Sequence, residues 1–399
     1  MSSMDITDRI RVPAGAWGGK ISRLFMVAVV ALVLCAVGFV VDREQFYFSW
    51  LTAMVFGVSI SVASLFFVML HHLTRASWST VIRRIAEALM SPLPLLVLFF
   101  LPVILGNHDL YHWTHHDAVE HDAILKHKAP YLNVTFWVIR AAVYFLIWTL
   151  MTRYFYSNSV KQDQSADPNT TVTMQRRSAP GMILFALTIT FMGFDWLMSL
   201  DPHWFSTIFG VYIFAGSALA CFGTLTLAAL ALRRGGYLET VIRDDHIRDL
   251  GRLMFAFSVF WAYIAFSQFF LIWYGNIPEE TLYYIHRFEG SWKYLTFGLA
   301  IGHFIVPFMI LMSQWSKRRP ALIGFMAVWV LVMHYLDLYW MVMPTHHKEG
   351  IHFSWIDLVC LVAVCTILVA LFVRKLSQNP LVPVGDPRLP ESLRLHNDY

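Results

Sequence analysis

Ten long apolar runs, separated by short polar stretches, divide the chain. A membrane helix needs roughly 20 mainly apolar residues. The runs at 23–41, 50–70, 90–106, 132–152, 181–200, 206–232, 252–274, 294–313, 321–341 and 355–373 meet that length. The pattern predicts an all-α integral membrane protein with ten transmembrane helices. The first run, Leu24 to Val41, follows a polar leader with Lys20 and Arg23, and no small-residue cleavage site comes after it. It reads as a signal anchor rather than a cleaved signal peptide. The sixth run is long enough to tilt or to project beyond the bilayer.

The basic residues test the count. Ten spans make alternating compartments, and one side receives 23 of the Lys and Arg residues, from Arg9 and Arg11 near the start to Arg388 and Arg394 near the end. The other side receives 6, namely Arg43, Lys126, Lys128, Arg287, Lys293 and Lys348, and Arg140 alone falls within a span. Cytoplasmic loops carry the Lys/Arg excess, so the richer side is expected to be cytoplasmic and to hold both termini. The setting expected is a bacterial inner membrane. On this reading 1–22 is a cytoplasmic leader, 23–373 the membrane domain and 374–399 a cytoplasmic tail. The opposite loops are rich in histidine and acid. The longest, 107–131, holds His108, His112, His115, His116, His121 and His127. It is too long for a tight turn and is expected to pack against something.

Thr80-Val81-Ile82-Arg83 follows span two, and Thr240-Val241-Ile242-Arg243 follows span six, 160 positions later. Taken as an internal repeat, this predicts two parallel four-helix bundles, spans 2–5 (about 50–200) and spans 6–9 (about 206–341), with spans 1 and 10 peripheral.

Composition agrees with the pattern. Of 399 residues 57% are hydrophobic and 14% charged, where an ordinary soluble domain has about 25% charged. The 15 Trp, 16 Tyr and 32 Phe suit a chain that lines bilayer interfaces. Cys35, Cys221, Cys360 and Cys365 all lie in apolar runs without ligand spacing, so neither disulfides nor a zinc or iron–sulfur site is expected from them. The loop histidines show no HxxxH or HExxH frame, and no metal site is expected there either. Lipid is the expected surrounding, and no nucleic-acid partner is expected.

Ionisable groups inside spans are costly and mark function by default. They are Arg140, Asp195, His303, His334 and Asp337. At 1.5 Å per residue they lie about 12, 8, 14, 10 and 6 Å from the outer edge, so one polar layer in the outer half is expected. Such a layer can relay protons or meet a quinol headgroup, whose two protons need acceptors near neutral pKa. The competing reading is a structural ion pair of Arg140 with Asp195 or Asp337. On the cytoplasmic side His71 and His72 close span two, and Glu87 either takes up protons or pairs with Arg83 and Arg84 on one helix face. Tyr263, Ser267 and Gln268 can extend a proton wire or bond neighbouring helices.

Four segments carry a resemblance: 71–89 (HHLTRASWSTVIRRIAEAL), 193–217 (GFDWLMSLDPHWFSTIFGVYIFAGS), 266–281 (FSQFFLIWYGNIPEET) and 334–344 (HYLDLYWMVMP). They resemble the NrfD/polysulfide-reductase-type membrane subunits of bacterial alternative complex III, a quinol:electron acceptor oxidoreductase, and ActF more closely than its paralogue ActC. The resemblance implies a subunit with no haem or cluster of its own. The partners it implies are the paralogous membrane subunit, an iron–sulfur subunit, multihaem and monohaem c-type cytochromes and often a terminal oxidase. It places the better-supported quinol site in the paralogue. It makes Asp195, Asp201, His203, His334 and Asp337 quinol-facing or proton-path positions. Two other classes suit the same residues: a proton-coupled secondary transporter, and a membrane cytochrome with a b-type haem between His303 and His334.

Overall fold

The computed structural model describes residues 10–396. Arg9 and the outermost positions of the leader and tail lie outside the described residues. Every regular element among the described residues is helical, and ten helices are long and apolar enough to cross a membrane. Spans one to five are Gly18–Val41, Arg43–Leu73, Thr80–Leu105, Val134–Ser165 and Pro168–Leu200. Spans six to ten are Phe209–Arg234, Asp244–Gly275, Trp292–Met312, Pro320–Thr345 and Trp355–Leu376. Leu381 N–H donates to the Ile10 carbonyl at 2.7 Å, so the two described chain ends share one face.

Several helices outrun their apolar cores. Spans four and five continue to Ser165 and from Pro168, so the expected loop 153–180 is mostly helix. Hydropathy is blind to these turns because they are polar, with Lys161, Asp163, Arg176 and Arg177. The local stop signals are strong. Ala166 takes a left-handed φ of 49°, and the Asp167 side chain caps the next helix through Asn169 N–H at 3.0 Å with Pro168 in its first turn. Both features suit a helix end followed directly by a helix start.

Span two is the hub. It packs against spans one, three, four, five, six, nine and ten, and almost every residue from Gln45 to His72 is buried. Span six is the second buried helix, packed against spans two, three, five, seven and nine. Small residues make this crowding possible, since they let backbones approach closely. A Cβ on Gly210 would lie 2.7 Å from the Thr190 Cα of span five, and one on Gly223 would lie 3.1 Å from the Ala327 carbonyl of span nine.

Span eight is irregular for a local reason. Its helix widens into a π-helical stretch at Ala300–Ile305, followed by Pro307. Proline has no N–H to return to the His303 carbonyl, and a π-bulge absorbs that lost bond. Trp329 Nε1 of span nine donates to the Gly302 carbonyl at 2.6 Å.

The Gly210 contact is directly testable. Gly210→Ala forces the span five and span six backbones apart and should cost roughly 1–3 kcal/mol. Thermal unfolding in mild detergent would show it, and an unchanged midpoint would mean that the two helices are not in close contact.

Candidate functional site

The five ionisable residues that interrupt the apolar runs do not share one contact network. The structure divides them into two groups held by different spans, and the two groups solve the burial problem differently.

Arg140 and Asp195 form the first group. The Asp195 side chain is fully buried and accepts from Arg140 Nε at 2.7 Å and Nη2 at 2.9 Å, a two-pronged pair. Tyr144 and Tyr131 hydroxyls donate to the same carboxylate at 2.6 and 2.9 Å. Arg140 also donates to the Tyr131 carbonyl at 2.9 Å, and its guanidinium lies 3.8 Å from the Tyr131 ring centroid. Each charge therefore has a partner of opposite sign and further hydrogen bonds, the condition under which a buried ion pair is tolerated. Arg140 pairs with Asp195, and Asp337 takes no part.

The second group joins spans six, seven, eight and nine, with a contribution from span two. Asp337 accepts hydrogen bonds from the Tyr212 hydroxyl and from Trp261 Nε1, the latter at 3.0 Å. Among the described residues no Arg or Lys pairs with it. His303, carried on the π-helical turn, stacks on Trp261 with ring centroids 4.1 Å apart, and neither of its ring nitrogens has a hydrogen-bond partner among the described residues. His334 lies one helical turn before Asp337, and its Nε2 is 3.0 Å from Ser59 Oγ. The Ser59 hydroxyl already donates to the Phe56 carbonyl at 2.8 Å. It must accept from His334, which places the proton on Nε2 and leaves Nδ1 as an unpaired acceptor.

A cavity of about 400 Å³ adjoins this group. Tyr212 and Trp261 form part of its wall, so the side chains that hold Asp337 also face the cavity. The rest is largely aromatic, with Phe269, Phe304 and Trp340, and its lining residues Phe266 and Phe297 are exposed at the surface of spans seven and eight. Of its polar groups, Gln268 is occupied by Ser206 and Tyr284, and Thr296 by Trp340 and the Arg287 carbonyl. Tyr284 accepts from Gln268 at 2.9 Å and keeps its own hydroxyl proton available. Arg287 stands alongside, buried and without a carboxylate partner among the described residues. It donates to the Tyr283 and Met341 carbonyls at 2.8 and 2.9 Å, with the Tyr283 ring 3.5 Å away. Burial lowers its pKa, opposed by the surrounding tyrosines and Asp201.

The other candidates lie apart from these groups. Tyr263 is exposed on the outside of span seven and reaches neither group, and Ser267 is half-buried beside Gln268. Asp201 is half-buried next to the Lys128 and Arg287 charges. His203 bonds Asp122 at 2.5 Å, which together with the Leu125 N–H holds the Asp122 carboxyl below its ordinary range. His108 meets His115 at 3.1 Å, and no three His, Cys, Asp or Glu groups converge on a metal-sized point among the described residues. At the face carrying the chain ends, His71, His72 and Glu87 are all buried, and Glu87 pairs with Arg83 at 3.0 Å and Arg84 at 3.3 Å.

Pattern reading had no signal for Tyr131, Tyr144, Tyr212, Trp261 or Ser59. Aromatic and hydroxyl residues are abundant in every span, and only packing shows which ones turn toward a carboxylate. No protein-family model matches the chain, and no curated protein matches it.

The two sites should respond differently to the loss of one charged group. Arg140→Ala strands a buried Asp195 and should cost about 3–5 kcal/mol, with part of the loss recovered in Arg140→Ala/Asp195→Asn. Asp337→Asn exchanges one acceptor for a donor and should cost about 1–2 kcal/mol. Melting temperatures of the three variants in one detergent decide the matter. Equal losses for Arg140→Ala and Asp337→Asn would remove the distinction drawn between the two sites.

Proposed function

We propose that the chain is a membrane subunit of a respiratory quinol:electron acceptor oxidoreductase of the alternative complex III type. In this reading it has no redox centre of its own. It handles quinol from the bilayer and moves protons through its second group of ionisable residues. The observation that carries the proposal is Asp337. It is a buried carboxylate without a cationic partner among the described residues, held by Tyr212 and Trp261, whose other surfaces line a cavity open toward lipid. A carboxylate already neutralised by arginine, such as Asp195, is poorly placed to accept a proton. One held only by neutral donors can take it and pass it on.

The cavity suits an amphipathic ring. Flat aromatic walls receive the headgroup, the Tyr284 hydroxyl offers a hydrogen bond to a carbonyl or phenolic oxygen, and Arg287 places a buried positive charge nearby. Quinol oxidation releases two electrons and two protons. This chain's residues can accept protons, and the electrons need centres in partner subunits, for which the iron–sulfur and c-haem proteins implied by the resemblance are suited. His303 and His334 extend the proton-accepting set beyond Asp337.

We read the ten helices as two parallel bundles, spans two to five and six to nine, with spans one and ten at the periphery. The packing of span two on three to five and of span six on seven and nine supports this. Asp195 and Asp337 then occupy the last span of their respective halves, near the same end. The Lys and Arg excess on the face with both chain ends supports a cytoplasmic setting for that face, in this reading at a bacterial inner membrane, with the histidine-rich face outside.

Native purification with subunit identification is the primary test. Co-purification with iron–sulfur and c-haem subunits is expected, whereas a chain that runs alone in mild detergent would point to a secondary transporter. In the assembled complex, Asp337→Asn should reduce quinol-driven turnover or proton uptake at least about tenfold, the lower range of general acid–base contributions. Unchanged turnover together with unchanged proton stoichiometry would make Asp337 a packing residue. A reduced-minus-oxidised spectrum with a haem band belonging to this chain would replace the proposal with a membrane cytochrome.

A further inference from the structure

The segment after span ten is a fitted part of the structure rather than a free tail. From 377 to 396 it runs back along the face carrying the chain ends, and four prolines, at 380, 383, 387 and 390, stiffen it. Asn379 bonds the Tyr156 hydroxyl at 2.8 Å. Gly385 passes so close to the end of span four that a Cβ there would meet the Gln162 carbonyl at 1.9 Å. Ser392 is fully buried, donating to the Trp78 carbonyl at 2.7 Å and accepting from Val81 N–H at 3.3 Å, while its own carbonyl lies 3.2 Å from His246 Nε2. Arg243 reaches the Leu395 carbonyl at 3.5 Å. The two Thr-Val-Ile-Arg segments, at 80–83 and 240–243, therefore both border this segment.

Beneath it lies a well of charge. Asp386, from the segment itself, inserts against Arg83 and is also bonded by Arg388 at 3.1 Å. Arg83 reaches Glu87 at 3.0 Å and His71 Nε2 at 3.2 Å, and Arg388 lies 3.3 Å from His72 Nδ1. Arg84 pairs with Asp163 at 2.6 Å. Burial opposes ionisation of Asp386, but the Arg83 and Arg388 guanidiniums outweigh it and hold its carboxyl well below the usual carboxylate range. The well is closed to solvent, since Arg83, Glu87 and His72 are each 0% exposed. Arg83 Nη2, Arg84 Nη1 and His72 Nε2 have no hydrogen-bond partner among the described residues. The well therefore retains hydrogen-bonding capacity for water once it opens.

We propose that residues 377–396 are a strap that seals this charge well, and that lifting the strap at Asp386 and Ser392 is the gate through which water and protons reach His71, His72 and Glu87. The gate is independent of what the cavity on spans seven and eight binds. It joins both halves of the protein at one point, so any movement of spans two and three against span seven loads the Ser392 contacts first. Leu381 and Val382 anchor the start of the strap in the core, whereas the part from 385 to 392 is held by hydrogen bonds and one ion-pair cluster, the kind of local unit that opens well below global unfolding.

The test uses the full chain in detergent. Diethylpyrocarbonate labels accessible histidines, and a water-soluble carbodiimide labels accessible carboxylates, both read by peptide mapping. In the unaltered protein His71, His72 and Glu87 should label slowly relative to His116, whose side chain is 84% exposed. Gly385→Ala lifts the strap by steric clash, Asp386→Asn loosens it by removing charge, and Ser392→Ala is the mildest change. Each should raise labelling of His71, His72 and Glu87 at least about tenfold, while His303 and His334 stay protected and report that the membrane core is intact. Hydrogen exchange of the unaltered chain gives a measurement free of substitutions: the amides of 385–392 should open no more slowly than His71 labels. Fast labelling of His71 and His72 in the unaltered protein would overturn the proposal. So would a strap that exchanges freely while His71 stays protected.

Discussion

Hydrocarbon offers no hydrogen bonds, so every polar or charged group carried into the membrane must be settled by the protein itself. Much of this structure follows from that constraint. Asp195 and Asp337 show two ways of meeting it. Asp195 is matched charge for charge by Arg140 and then wrapped by two tyrosine hydroxyls. Among the described residues Asp337 has only the Tyr212 hydroxyl and the Trp261 indole. The first arrangement is stable because it is complete. The second leaves a carboxyl whose ionisation no opposite charge offsets, which under the proposed function is what lets it take up and release a proton.

The same constraint shapes the helices. Span two is surrounded by protein along nearly its whole length, so its buried hydroxyls and glutamine bond carbonyls one turn back in the same helix, as Thr52 and Ser64 do, or side chains of adjacent helices. Its Ser59 reaches His334 in span nine, and its Ser49 and Gln45 meet Asp357 of span ten at 2.5 and 2.9 Å. A polar stripe on an outer helix would face lipid unpaired. On the central helix it connects the protein from within. Spans seven and eight, by contrast, are largely exposed, and the bulge beside Pro307 in span eight carries His303, which stacks on Trp261 in the wall of the lipid-facing cavity.

The two faces of the molecule differ in closure. Where the chain ends meet, Asp386 and Ser392 close a charged well with a proline-stiffened strap, and its arginines and carboxylates are balanced without solvent. On the side of spans seven and eight, the cavity opens among exposed aromatics, with its polar groups at the back. Under the proposed function, lipid-soluble substrate and aqueous protons would then approach by separate routes, with the polar groups of spans two and nine lying between them.

The number of helices, their order and the segregation of basic loops were all legible in the sequence. Length and hydropathy are local quantities, and a bilayer reads them one segment at a time. The same locality marked Arg140, Asp195, His303, His334 and Asp337 as residues out of place, because each interrupts an apolar run. Their division into two groups was not legible, since Arg140 stood equally well opposite Asp195 or Asp337 until the helices were packed. Nor did any local signal show that Tyr212 and Trp261 would hold Asp337, or that Asp386 would come to rest beside Arg83, 303 positions earlier. The polar turns of spans four and five escaped for the opposite reason: their helicity rests on caps and on neighbouring helices, not on hydropathy. What the tertiary structure decided was which buried groups have partners and which do not. Pairing is a property of two surfaces meeting, and a single surface does not contain it.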